Sequence, residues 1–226
     1  FYQTTVSRDS LKDYSIRVSG LCKNSAFSVQ SRLWHTCGQL NITVENVQLW
    51  WPAGSGDSAL YDVTVELFEK EQLMDITRLR TGIRTVALER TSTTDSAGNG
   101  EFCFRVNGEK CFIKGTNWVP LDAFHSRDKE RLPTALSLLK DIGCNMVRCW
   151  GGNVYEDDRF YDFCDENGIL VWQDFAMACA LYPRDEAFCA SLKTEVEAVV
   201  KRLRNHPCIA VWAGDNENDL VYTDWA

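Results

Sequence analysis

Ile209-Ala-Val-Trp-Ala-Gly-Asp-Asn-Glu217 is a short apolar run that ends abruptly in polar residues, and it follows the turn Asn205-His-Pro207. Its length and its β-branched and aromatic content read as a buried strand. Three earlier runs have the same form: Cys111-Phe-Ile-Lys-Gly-Thr-Asn117, Asn145 to Trp150, and Ile169-Leu-Val-Trp-Gln-Asp174. Each ends in polar or aromatic side chains: Asn117 and Trp118, Arg148 and Trp150, Asp174, then Asn216 and Glu217.

The segments between these runs carry helical spacing. From Lys129 to Ile142, the residues Leu132, Leu136, Leu139 and Ile142 recur on one face, with Pro133 expected in the first turn and Gly143 as the stop. Asp158 to Asn167 places Phe160, Phe163 and Cys164 on one side, and Gly168 terminates it. Asp185 caps a longer helix on which Phe188, Leu192, Val196, Val199 and Leu203 face one way.

Strands alternating with helices at this pace imply parallel pairing with right-handed crossovers. A doubly wound sheet and a (β/α)8 barrel both fit that alternation. The clustering of polar residues after every strand favours the barrel, because there all those ends share one rim. The first strand is followed by no glycine-rich phosphate loop of the kind a nucleotide-binding sheet uses. A full barrel takes about 250 residues, so the residues after Cys103 are expected to form the first half of a truncated barrel, over 101–226.

Residues 1–100 have a different pattern. Leu40, Ile42 and Val44 alternate on one face, as do Tyr61, Val63, Val65 and Leu67, and Pro52-Ala-Gly-Ser-Gly-Asp57 supplies turn residues. A period of two indicates half-buried antiparallel strands, hence a β-sandwich that could be incomplete at its front. Thr91 to Gly100 reads as a polar loop. Trp34, Trp50 and Trp51 are expected in core or interdomain packing.

Composition narrows the function classes. The 226 residues carry a net charge of −8, which disfavours a nucleic-acid partner. Apolar runs fall short of the ~20 residues that span a bilayer, so no membrane partner is expected. The ten cysteines form no Cys-x-x-Cys pair, and His35, His125 and His206 lack ligand spacing. Neither a metal nor a cofactor is therefore expected. Asn41-Ile-Thr43 is a glycosylation sequon and hints at a secretory route.

Glycoside cleavage uses two carboxyl groups, one donating a proton to the leaving oxygen while the other attacks or activates water. Glu217 sits at the fourth strand's carboxyl end, directly after Asn216, whose amide suits a sugar hydroxyl. A bare Asn-Glu pair is also a common solvated turn, and only its place after a buried strand favours chemistry.

The run Asn205 to Glu217 resembles the acid/base strand of glycoside hydrolase family 2. Leu49-Trp-Trp-Pro52 with Leu60-Tyr61 resembles that family's immunoglobulin-like sandwich, and Phe104 to Pro120 resembles the start of its barrel. Asn145-Met-Val-Arg-Cys-Trp-Gly-Gly152, Phe160 to Phe175 and Ala178-Cys-Ala-Leu-Tyr-Pro183 are similar to the family's β-mannosidase branch. The resemblance implies a retaining exo-glycosidase acting on an oligosaccharide or glycan, with Glu217 as acid/base and Asn216 at the 2-hydroxyl. The nucleophile is expected on a seventh strand, beyond Ala226. Another family 2 activity, on β-galactosides or β-glucosaminides, and a non-catalytic carbohydrate-binding role remain as alternatives. Lysosomal placement is implied by resemblance to animal members of that branch, with secretion as the alternative.

Other rim residues are expected to serve the same site. Arg148 could orient the nucleophile or form a structural ion pair. Trp150, which shares its parity, could wall the sugar. Asp174 could bind hydroxyls or cap the next segment. Trp118 and Asn117 read as supporting residues.

Overall fold

Tyr61 is fully buried, and its hydroxyl donates to Ser25 Oγ (2.8 Å) while accepting from the Gln48 amide (2.8 Å). Burying a phenol with both hydrogen-bonding roles filled makes it a strong anchor for the sheet around it. In this computed structural model, which describes residues 1–91, 96–97 and 100–224, that sheet lies in the first of two compact units. The first unit comprises Phe1–Leu49 and Ala59–Ile83, and the second Trp50–Ser58 and Arg84–Ala226.

The strands of the first unit are β1 (Tyr2–Gln3), β2 (Tyr14–Cys22), β3 (Ser25–Arg32), β4 (Cys37–Gly38), β5 (Tyr61–Glu69) and β6 (Gln72–Thr81). Four of them form an antiparallel sheet in the order β3-β2-β5-β6, and β1 pairs with β4. Tyr61 and Val63 on β5 join Cys22 and Ala59 in a buried cluster against Val18, Phe27, Val44 and Ile83. The alternation expected along β5 shows in burial only at Tyr61 and Val63; Val65 still packs on the cluster, and the strand from Thr64 to Glu69 is half-buried throughout. The alternation at Leu40, Ile42 and Val44 is only half realised, because these residues alternate in burial but lie outside any strand. The segment is irregular chain from which Val44 packs on the buried cluster, so its period of two arises without a strand ladder. Trp34 also departs from expectation. It is 70% exposed, with the Arg32 guanidinium 5.0 Å from its ring.

The second unit begins with an antiparallel trio, β7 (Val86–Arg90), β8 (Phe102–Val106) and β9 (Glu109–Cys111). Then follow β10 (Gly115–Trp118), α1 (Asp128–Asp141), β11 (Met146–Cys149), α2 (Asp158–Asn167), β12 (Leu170–Asp174), α3 (Glu186–Leu203), β13 (Ile209–Ala213) and α4 (Leu220–Thr223). The parallel sheet runs β10-β11-β12-β13, in chain order. Right-handed crossovers that always step the same way place every helix on one face, which is the barrel's winding. A doubly wound sheet would reverse direction at some strand. Burial agrees: Val147, Cys149, Val171 and Gln173 are at most 2% exposed, while Arg148, Trp172 and Val211 on the opposite face are only half-buried.

The compact division falls at Ile83/Arg84 rather than at 100/101. β7 pairs with β8, and the Arg84 side chain donates to the carbonyls of Pro207 (2.9 Å) and Ile209. The loop expected over 91–100 lies largely outside the described residues. Trp50–Ser58 also belongs to this unit: Trp50 is fully buried and donates Nε1–H to the Asp165 carbonyl at 2.7 Å. Helix α1 starts after a single 3-10 turn, so Pro133 sits in its interior rather than its first turn. Ile142, the expected last member of its apolar stripe, is 68% exposed because it caps the helix end beyond the last helical turn.

Candidate active site

Parallel register fixes which side chains share the inner face. Asn117, Arg148, Trp172 and Val211 align across the four strands, and Asp174 and Ala213 form the next layer towards the carboxyl ends. The register shifts between Val171 and Trp172, so Ala210 is the extra residue that brings Val211 opposite Trp172. The inner face at the first two strands lines a cavity of about 340 Å³, bounded by Ile113, Gly115, Asn117, Met146 and Arg148 among others.

Arg148 organises this rim. Its Nη2 donates to Asp174 Oδ2 (2.7 Å) and to Asn216 Oδ1 (2.9 Å), and its Nε donates to Asp174 Oδ1 (3.3 Å). The Trp172 ring centroid lies 5.8 Å from the guanidinium carbon. One planar fork thereby ties the ends of β11 and β12 to the segment following β13. The Asp174 side chain is fully buried and also accepts the Gly151 amide (3.1 Å). With two N–H groups from Arg148 and one from Gly151 on its buried oxygens, its carboxylate is turned inward as a brace.

Gly151 and Gly152 explain the run after β11. A Cβ on Gly151 would stand 2.3 Å from the Met177 carbonyl oxygen, and one on Gly152 would overlap the Trp150 ring at 2.1 Å. Trp150 is half-buried on this turn, and its amide donates to the Trp118 carbonyl at 3.2 Å. Trp118 is buried at 5% exposure, packs on Phe160 with ring centroids 5.0 Å apart, and donates Nε1–H to Glu156 Oε1 (2.8 Å). Burial pushes the Glu156 carboxyl above its ordinary range, against the lowering by the Trp118 and Asn153 donors.

Asn216 is buried, and Glu217 beside it is exposed with φ 58°. A left-handed glutamate is unfavourable for an L-residue and persists where the surroundings hold it. Here a one-residue parallel bridge does so: the Asn216 amide donates to Met177 O (3.0 Å), and the Cys179 amide donates to Asn216 O (2.9 Å). The loop 177–182 is fastened in turn, since Ala178 N donates to the Tyr182 hydroxyl (2.8 Å), whose ring stacks on Phe188. The exposed Glu217 carboxylate lies 3.7 Å from Cys179 Sγ, next to the Asn216 amide that Arg148 holds. Sequence reading assigned no role to Cys179, Met177 or Gly151, because backbone bridges between loops leave no periodic trace.

The barrel residues 100–224 match the model of the TIM barrel domain of glycosyl hydrolases family 2, and residues 3–84 match that of glycosyl hydrolases family 2. The chain belongs to glycosyl hydrolase family 2. This family 2 chain is 43% identical over 176 residues to a β-mannosidase of Capra hircus, covering 77% of the chain and 20% of the relative. It is 34% identical to β-mannosidase B of Thermothelomyces thermophilus, covering 96% of the chain and 27% of the relative. Among solved structures, β-D-mannosidase of Dictyoglomus thermophilum superposes with a TM-score of 0.82 at 39% identity, over 94% of this chain and 27% of that one. A Parabacteroides merdae β-glucuronidase, at 22% identity and TM-score 0.73, shares the fold. The chain thus spans about a fifth to a quarter of the proteins it matches.

Proposed function

We propose that these residues supply the sandwich and the acid/base half of the barrel in a retaining β-mannosidase that releases terminal β-linked mannose from oligosaccharides. In this reading Glu217 protonates the departing glycosidic oxygen and later deprotonates the attacking water. Asn216 presents its amide to the hydroxyl next to the reacting carbon. Arg148 holds Asn216, and Asp174 holds Arg148. Trp150 offers an indole wall to the sugar, and Trp118 supports the turn on which Trp150 sits. The attacking carboxylate comes from polypeptide outside these residues.

The observation that carries the reading is the Arg148 fork, because it brings the polar ends of successive strands to one rim with Glu217 beside it. The similarity to mammalian and fungal β-mannosidases supports mannose as the sugar. We also infer a secretory route ending in the lysosome, supported by the exposed Asn41 sequon and by likeness to mammalian β-mannosidases. The experiment is a side-by-side assay of the complete polypeptide on aryl β-mannoside, β-galactoside and β-glucosaminide. Mannoside should be cleaved with the highest kcat/KM, and a preference for either other sugar overturns the assignment.

A further inference from the structure

Asn216 has one acceptor and one donor end, and the structure fixes which faces which way. Guanidinium groups only donate, so the atom 2.9 Å from Arg148 Nη2 must be the amide oxygen. The amide nitrogen then faces Cys179 Sγ, at 3.3 Å. The same sulfur lies 3.7 Å from Glu217 Oε2, towards which its S–H donates. Cys179 itself is exposed and held at φ 50°, so two left-handed residues, Cys179 and Glu217, flank the bridge through Asn216. Such paired strain at one contact is sustained only by the contacts around it.

We propose that Cys179 is a positioning residue for the acid step, its thiol accepting from the Asn216 amide while donating to the Glu217 carboxylate. The inference rests on the proposed roles of Asn216 and Glu217 and adds a third group to them. One amide hydrogen of Asn216 is committed to sulfur, which leaves the other aimed at a substrate oxygen. A hydroxyl bound there must accept rather than donate. The carboxylate, being exposed, has few other restraints on its rotation, so the S–H contact limits where its proton can be delivered. Thiol hydrogen bonds are weak and long, which makes the expected effect moderate.

The test uses the complete polypeptide with Cys179→Ala, Cys179→Ser and, for reference, Glu217→Ala. The readout is the ratio of kcat/KM on mannobiose, a poor leaving group, to that on 2,4-dinitrophenyl β-mannoside, which needs no acid. Cys179→Ala should lower that ratio about 3- to 10-fold, the effect of losing one or two modest hydrogen bonds. Cys179→Ser, which keeps a donor and an acceptor, should recover most of the loss. A structural role alone would lower the thermal midpoint or both rates together and leave the ratio alone. A ratio within 2-fold of wild type for Cys179→Ala, while Glu217→Ala lowers it strongly, refutes the role of Cys179 and spares that of Glu217. If Glu217→Ala also leaves the ratio unchanged, both proposals fall.

Discussion

Replacing Asp174 with alanine tests the brace on which the rim depends. The carboxylate is wholly buried and receives two N–H groups from Arg148 and one from Gly151. Arg148 keeps 30% of its side chain exposed, so water can re-solvate the guanidinium, and its share belongs at the low end for a charged hydrogen bond, about 1.5 kcal/mol. Gly151 is buried, and stranding its N–H costs about 1–2 kcal/mol. The expected loss is about 3 kcal/mol, equivalent to roughly 6–12 °C in the midpoint of a domain this size. Asp174→Asn, which keeps one acceptor but turns an NH2 group toward these donors, should lose about half as much. Differential scanning calorimetry or urea unfolding followed by tryptophan emission measures both. In the complete polypeptide the alanine variant should also lose kcat/KM, because Arg148 is then free to leave Asn216. A loss below about 1 kcal/mol would mean that Arg148 and Gly151 find other partners, and Asp174 would not be the brace.

Other parts of the structure give independent expectations. Trp50→Ala should destabilise by about 3–5 kcal/mol and Trp50→Phe by less, because the indole is fully buried and its N–H satisfies the Asp165 carbonyl; chemical denaturation reads both. Gly168→Ala should cost more than Gly143→Ala, since both glycines have positive φ but only at Gly168 would a Cβ meet backbone, 2.5 Å from Ala53 N. For Glu156, the folded carboxyl titrates above its unfolded value, so its favourable contribution is complete at low pH and is lost as pH rises through the folded pKa. Glu156→Gln, which still accepts from Trp118, should therefore flatten that fall in stability and be neutral or stabilising at pH 7. The 226 residues by themselves should show no glycosidase turnover, since one carboxyl cannot run a two-carboxyl mechanism; measurable release of sugar by the purified chain would refute this.

Much of the barrel was legible because its signals are local. Short apolar runs bounded by Gly168, Asp185 and Pro207 mark elements whose ends the structure reproduces, with Gly168 left-handed at φ 67° and Asp185 accepting the Phe188 amide. The polar clustering after each strand led to the expectation that Asn117, Arg148 and Asp174 share a rim, and the parallel register of the structure sets them on one face. What escaped reading depends on contacts between distant segments. The alternation at 40–44 arises without a strand ladder, and the docking of Trp50 on Asp165 spans more than a hundred residues of chain. Asp174 could be foreseen at the rim but not as the partner of Arg148, because either a sugar or an arginine satisfies a carboxylate. Among ten cysteines Cys179 carries no distinguishing signal in sequence, and its exposed thiol is set apart by the contacts to Asn216 and Glu217.

Glu217 is proposed as the proton donor to the departing sugar oxygen. The measurement that bears on this directly is azide rescue of Glu217→Ala in the complete polypeptide, with aryl β-mannosides of graded leaving-group acidity. Cleavage of poor leaving groups should collapse while activated ones are still attacked, and azide should restore turnover with formation of β-mannosyl azide. Equal loss on every leaving group, with no azide product, would contradict the role assigned to Glu217.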